Sequence, residues 1–137
     1  MADTFIVPNS GERWALKAYA DKFTSGGKIR LFKNNATLTA TMVVGDLTEA
    51  DFAGYAEINA AWAGDPVTDS NGKAVIFHAP CQWTKSGATG NTIYGWYLID
   101  DASYGDLQFV YKWDATKDMS DDGDQITFFP FLRAVSE

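Results

Sequence analysis

The chain has 137 residues, of which 15% are aromatic, and its 18 acidic and 11 basic side chains give a net charge of -7. This length suits one domain that buries roughly two-thirds of its unfolded surface. The negative charge, with no local Lys or Arg cluster, argues against nucleic acid as a partner, and no apolar run approaches the ~18 residues of a membrane span. Residues 1–10 lack a signal-peptide pattern and Cys81 is the single cysteine, so we expect a protein folded in a reducing cytoplasm.

The first predicted element is a short helix that begins at Asn9. Glu12 follows Asn9 by three residues, which is the spacing of a reciprocal N-terminal cap, and Ser25-Gly26-Gly27 ends the helix. A helix of about a dozen residues is not stable alone, so its apolar face needs a cover. We predict an N-terminal arm and helix over residues 1–27 that makes intermolecular or lid contacts rather than forming the core, and a β-sandwich domain over residues 28–137. The candidate contact residues of the helix are Trp14, Tyr19 and Phe23.

The apolar spacing changes to period two after the glycines. A strand is predicted at 28–32, and an excursion with at most a short edge strand at 37–46. A helical turn is predicted from Thr48 to Gly54, and a further strand at 55–62.

The second half of the chain alternates strands with polar turns. Strands are predicted at 74–83, 91–100, 107–113 and 125–134, and the turns between them are centred on Asp, Asn, Ser and Gly. Pro130 indicates that the last strand is an edge strand or carries a bulge. Six to eight strands at short spacing predict a mainly β fold, namely a single-domain β-sandwich or jelly roll with a short N-terminal α-helix.

The strand at 91–100 is the most informative segment because both of its faces are apolar. Strict alternation places Ile93, Tyr97 and Ile99 on one face. The other face then carries Tyr94, Trp96 and Leu98. Such a strand must be covered on its second face by a sheet, a helix or another molecule. We therefore predict a homo-oligomer, with this second face as a candidate interface.

The last predicted strand also divides into two apolar faces. Ile126, Phe128 and Leu132 point one way, and Phe129 and Phe131 point the other. We add Phe129 and Phe131 to the candidate interface.

No residue pattern in the chain specifies catalysis or a metal site. The acidic run Asp118 to Asp124 begins like a calcium loop, but the glutamate that completes such a loop would fall at Phe129. A solvated turn is the better interpretation, and weak calcium binding stays open. His78 has no second His or Cys at ligand or triad spacing, so we expect a structural hydrogen bond. We predict no enzyme, no cofactor and no metal.

The β-sandwich prediction is also compatible with a carbohydrate-binding module. Trp83, Trp96 or Trp113 could form a flat platform on which sugar rings stack. Exposure of the aromatic side chains decides this point. A sugar platform needs coplanar aromatic side chains that face water, whereas aromatic side chains of a core are buried.

One resemblance covers most of the chain. The succession VPNSGE, IRLFKNN, LTEADFAGYAEI, SGATGNTIYGWYLID and DGDQITFFPFL resembles a group of small structural proteins encoded by tailed phages and prophages. Its most specific part pairs FAGY at 52–55 with GATGNTIYGWY at 87–97. The chain departs from it at Trp96, where Tyr is expected, and in a longer acidic segment at 114–124.

The resemblance implies a virion component made in the host bacterial cytoplasm. The role that it favours is a capsid decoration, or cement, protein that binds the outer face of a tailed-phage head. Its partner would be the major capsid protein, and its own assembly commonly a homotrimer. A phage tail or fibre protein would share these features.

Overall fold

The computed structural model describes residues 9–24, 26–100 and 105–133, and within them the chain is mainly β with one N-terminal helix. The helix is α1 (Asn9–Thr24), as the capping pattern predicts. The strands are β1 (Lys28–Phe32), β2 (Ile58–Asn59), β3 (Trp62–Thr68), β4 (Ala74–His78), β5 (Cys81–Thr84), β6 (Asn91–Ile99), β7 (Leu107–Met119), β8 (Gln125–Phe128) and β9 (Phe131–Arg133).

The strands form three antiparallel sheets. The largest has the order β2-β1-β6-β7, the second has the order β3-β4-β9, and the third pairs β5 with β8. Thus β6 lies inside the largest sheet, whereas β7, β8 and β9 each end a sheet. The candidate site lies between these three edge strands.

Two predicted strands are each divided in two by a proline segment. The strand predicted at 74–83 becomes β4 and β5, with Ala79 and Pro80 between them, and the strand predicted at 125–134 becomes β8 and β9, with Phe129 and Pro130 between them. The divisions coincide in space, since the His78 N–H donates to the Pro130 carbonyl over 2.9 Å. The segment from β4 to β5 and the segment from β8 to β9 therefore pass from one sheet to another side by side. The expectation that the strand with Pro130 is an edge strand is confirmed, since β8 and β9 each end a sheet, and the crossing lies at this proline.

Two local predictions are wrong. No helical turn forms at 48–54; Glu49 instead bridges to Phe32, and Gly54 turns the chain with a φ of +92°. The predicted strand at 55–62 is reduced to β2, and β3 begins at Trp62. The excursion at 37–46 contains a short 3-10 helix at Val44–Asp46 and no strand. β7 runs six residues beyond the predicted end at 113, to Met119.

The helix contributes to the main core, contrary to the prediction that it makes intermolecular or lid contacts instead of forming the core. Ala20 is fully buried among side chains from all three sheets, and Leu16, one turn earlier, packs against the same cluster. The helix lies over β3 and β4. Residues four apart share one face of a helix, so this small apolar stripe provides the cover that the isolated helix needs.

Both faces of β6 are covered by the chain itself. One face joins the main core through Ile93, Trp96 and Leu98. The opposite face joins a second cluster through Tyr94, Tyr97 and Ile99. The segment after β1 supplies the cover for that second cluster, with Ala36, Met42, Val44 and Leu47.

The predicted division of the β6 faces is wrong at Ile93 and at Tyr94 because the alternation is interrupted at Gly95. From the pair Ile93–Lys117 to the pair Gly95–Lys112, β6 advances by two residues and β7 by five. A Cβ at Gly95 would overlap the Tyr111 carbonyl oxygen and lie 2.7 Å from the Phe32 ring. The close approach requires glycine. The argument from an uncovered face of β6 to an oligomer therefore fails.

Candidate functional site: an aromatic groove between sheet ends

An aromatic groove opens where β7 faces β8 and β9. Its volume is about 340 Å³. All but one of its lining residues are apolar or aromatic: Trp96, Phe109, Tyr111, Trp113, Phe128, Phe129, Pro130, Phe131 and Arg133. Each of its three bordering strands ends its own sheet. The groove is thus the place where the apolar interior reaches the surface between the sheets.

The floor of the groove is a stack of rings. The Trp96 indole lies 5.2 Å from the Phe109 ring and 5.4 Å from the Phe128 ring, with interplanar angles of 29° and 28°. Trp113 meets Phe128 edge-on at 5.7 Å. Stacked and edge-on pairs at these distances are favourable beyond their buried area. The floor is therefore an apolar surface built of packed rings.

The rim of the groove is exposed to water. Phe129 exposes 67% of its surface, Phe131 52% and Tyr111 51%. Side-chain alternation explains why Phe129 and Phe131 are exposed. Pro130 and Leu132 point inward and are buried, while the alternate residues point outward. Phe77 of β4 extends the patch, with its ring 6.4 Å from that of Phe131. Contiguous apolar patches on a soluble domain indicate a docking surface.

Two basic side chains border the groove although the chain is acidic overall. The Lys117 ammonium lies 5.3 Å above the Trp113 ring, within cation–π distance. Arg133 pairs with Asp69 over 2.8 Å. Backbone N–H groups, first that of Lys73, and then Arg133 lower the pKa of Asp69, so this carboxylate stays charged at neutral pH.

The structure separates the predicted interface residues into three groups. Phe129 and Phe131 lie on the groove rim. Trp14 is 73% exposed beside Arg13, Lys17, Asp65 and Pro66, and Tyr19 is partly exposed on the same helix. Trp96 and Leu98 are buried, so they offer little surface of their own to a partner, and Tyr94 is half-buried. The side chain of Phe23 lies outside the described part of the chain.

Some groove residues were absent from the predicted interface. Phe109, Tyr111 and Trp113 alternate along β7 and share a face with the Trp96 indole. Their alternation is visible in the sequence, so the apolar face was predictable. The sequence contains no signal that β7 ends its sheet, and that position is what exposes them.

The predicted tryptophan platform for sugars does not form. Trp83 is buried, its indole N–H donates to the Ala56 carbonyl over 2.7 Å, and its ring stacks on Phe128. Trp96 exposes only 4% of its surface. Trp113 is half-buried and is covered on one side by Lys117. The three indoles therefore offer no common face to water.

His78 and Cys81 have structural surroundings. The buried His78 ring accepts the Ala61 N–H at Nε2 and donates to the Ala79 carbonyl from Nδ1 over 2.7 Å. Burial lowers the pKa of His78, and burial raises the pKa of the Cys81 thiol to about 12. A neutral histidine with both nitrogens occupied and a protonated thiol are poorly suited to proton transfer or nucleophilic attack.

The acidic turn is closed by its own hydrogen bonds. Asp122 accepts the Gly87 N–H over 2.8 Å and lies 3.1 Å from the buried ammonium of Lys85, and these contacts lower the pKa of Asp122. Asp124 accepts the Asp121 N–H. In the parts of the chain that the structure describes, no group of three His, Cys, Asp or Glu side chains could hold a metal ion. The turn fastens β8 to the loop at 86–90.

Two pairs of acidic residues lie close together in the sequence, Glu49 with Asp51 and Asp100 with Asp101, and the described members of these pairs are engaged. Glu49 accepts the Tyr55 hydroxyl over 2.7 Å and lies 3.4 Å from Arg30, whereas Asp51 pairs with Lys33 over 2.9 Å. Asp101 lies outside the described residues. Carboxylates held by cations in this way do not face each other across a cleft, as glycoside hydrolysis requires.

Comparison with protein-family models, curated proteins and solved structures finds no match for this chain. Across the described residues, α1 is too short and too polar to cross a bilayer. The groove therefore has to be interpreted from its own chemistry.

Proposed function

We propose that this chain is a structural binding protein that docks through its aromatic groove, and that it serves as a decoration protein on the outer face of a tailed-phage head. The observation that carries the docking role is the exposed rim of Tyr111, Phe129 and Phe131 above a stacked aromatic floor. The phage context comes from the sequence resemblance. The chain would act without catalysis, cofactor or metal.

The energetics suit docking. A large apolar side chain that passes from water into an interface contributes about 1.5 to 3 kcal/mol when fully buried. The rim residues are already partly buried, so each contributes a fraction of that amount, and the preformed floor lowers the entropic cost of binding. The net charge of -7 supports a position outside the capsid shell, since it repels packaged DNA.

We also propose that the sheets stack as a jelly-roll-like sandwich. One apolar cluster contains side chains from all three sheets and from the helix. Sheets that share one core in this way are typical of sandwich architectures. Such a fold would present the groove at its open side.

The proposal is tested with particles that lack this chain. Added protein should bind the capsid exterior and raise resistance to heat, because a ligand that binds only the assembled shell stabilises it by about 2.7 kcal/mol per site at a hundredfold excess over Kd. Phe131→Asp should abolish binding while the isolated domain stays folded. Val43→Asp is the matched control, since Val43 is comparably exposed and lies outside the groove lining.

Four outcomes would contradict the proposal. Equal loss of binding in the Val43→Asp control would show that binding does not depend specifically on the groove. Particles with unchanged heat resistance and no added exterior density would exclude decoration. Labelling confined to the tail would favour the tail or fibre role. Retention on a glycan array that Phe131→Asp abolishes would favour the carbohydrate-binding role.

A further inference from the structure

We propose that the cleft between α1 and β3 binds one hexuronic acid unit of an acidic polysaccharide. The cleft has a volume of about 240 Å³ and is lined by Arg13, Trp14, Lys17, Asp65 and Pro66. Pockets for drug-sized molecules begin at about 300 Å³, so the cleft suits a single small ring. β3 and β9 are the opposite ends of one sheet. The cleft is therefore separate from the aromatic groove, and the proposal does not depend on the capsid role.

Trp14 supplies the apolar surface of the cleft. It exposes 73% of its surface, more than any other large apolar side chain in the described part of the chain. On a helix, its position lies opposite the stripe of Leu16 and Ala20 that joins the core. The C–H face of a sugar ring packs on an indole face that is open in this way. Single exposed apolar residues are common on proteins, so the polar groups around Trp14 are what identify the ligand.

Arg13 supplies a positive charge for one carboxylate. Its Nη1 atom donates to the Thr68 hydroxyl over 2.9 Å, which holds the guanidinium beside β3. Arg13 forms no ion pair with any described residue. The remaining N–H groups of a guanidinium can hold a carboxylate through two parallel hydrogen bonds. In a chain of net charge -7, an arginine without an acidic partner beside an exposed indole favours an anionic ligand.

Lys17 and Asp65 supply the groups that recognise hydroxyls. The Lys17 ammonium lies 3.1 Å from Asp21 and 3.9 Å from Asp65, so its charge is already compensated. The Asp65 side chain is 86% exposed and accepts hydrogen bonds, whereas the ammonium donates them. The Asp65 carboxylate also repels a phosphate dianion or a second carboxylate in the cleft. The cleft therefore favours a ring with one carboxylate and several hydroxyl groups, which is the composition of a hexuronic acid.

Isothermal titration calorimetry tests the cleft with trisaccharides of galacturonic, glucuronic and mannuronic acid and with their methyl esters. The wild-type chain should bind at least one acid, and the matching ester about tenfold more weakly, because the ester offers no carboxylate to Arg13. Trp14→Ala should weaken binding of that acid about tenfold, since the stacking surface is lost. Arg13→Gln should remove the preference for the acid over the ester, so that both bind equally weakly.

Val43→Ala is the matched control for Trp14→Ala, because Val43 is 60% exposed and lies outside the cleft. It should bind the acid like the wild type, and far-ultraviolet circular dichroism should show the same helix and strand content in every variant. Absence of binding to all three acids at millimolar concentration would overturn the proposal. So would unchanged binding in Trp14→Ala or equal binding of acid and ester by the wild type. Equally tight binding of a trimer of aspartate would also overturn it, since the cleft would then recognise peptide carboxylates.

Discussion

β6 and β7 are hydrogen-bonded neighbours rich in large apolar residues, yet one is sealed and the other is open. Every apolar side chain of β6 is buried or half-buried by the chain itself, while Tyr111 of β7 exposes half of its surface. The difference lies in sheet order, because among the described residues β6 has a strand on each side and β7 has a strand on one side. Apolar content alone therefore does not identify a docking strand.

The largest effect is expected where β6 is sealed. Leu98→Ala should lower the free energy of unfolding by about 2 to 5 kcal/mol, because it leaves a cavity in the main core. Tyr111→Ala on β7 should cost about 1 kcal/mol or less, since much of that side chain is already in water. Urea denaturation with an unchanged slope measures both. Similar losses for the two variants would remove the contrast between the strands.

The contact between the two strands is tested at Gly95. Gly95→Ala should destabilise the fold by about 1 to 3 kcal/mol, since the added methyl group would overlap the Tyr111 carbonyl and press on the Phe32 ring. Gly72→Ala is a useful reference because that glycine has open space around it, although its φ of +77° carries a backbone cost of its own. Gly95→Ala should cost more by urea denaturation. A smaller cost than at Gly72 would mean that the strands separate easily.

Burial of His78 makes the stability of the fold depend on pH. Burial lowers the pKa of His78 below the ordinary value of 6.5, so the unfolded chain takes up the proton first as the pH falls. Stability is therefore complete above about pH 6.5 and decreases as the pH falls through the folded pKa. The shifted carboxylates Asp51, Asp69 and Asp122 respond only at lower pH, because their pKa values lie below 3.8.

His78→Gln should remove this slope between about pH 7 and pH 5 in urea midpoints. His78 is the one histidine of the chain, so no other histidine can replace its contribution. The exposed Asp114→Asn on β7 serves as the control and should leave the slope unchanged. A slope that survives in His78→Gln would assign the effect to another group.

The smallest change in stability is expected at the groove rim. Phe129→Ser should alter the free energy of unfolding by no more than about 0.5 kcal/mol, because most of the ring is exposed. The same variant should reduce binding of a hydrophobic fluorescent dye, which needs an open apolar surface. Val67→Ser, at an exposed residue of β3 outside the groove lining, should leave dye binding unchanged. Equal dye binding in all three proteins would argue against an open groove.

Local patterns predicted those elements that depend on neighbouring residues. The cap and glycines of α1, the alternation in β1 and the turn residues at 69–72 and 121–124 correspond to the observed elements. The helical turn at 48–54 failed because the Glu49 bridge to β1 outweighs a weak local preference for helix. Part of the candidate site was likewise predictable: Phe129 and Phe131 alternate with buried residues, so their outward direction follows from the period of a strand.

The remainder depends on distant residues that only the tertiary structure brings together. The sequence by itself determined a mainly β chain with one helix and an apolar excess in strand 91–99. The folded chain decided that residues 33–50 cover the second face of that strand, that Gly95 shifts its alternation, and that β7 ends its sheet. Strand order and cover arise from long-range packing energies, which no local periodicity encodes. For that reason Trp96 became the floor of a groove and Tyr111 its rim, although both are aromatic residues of predicted strands.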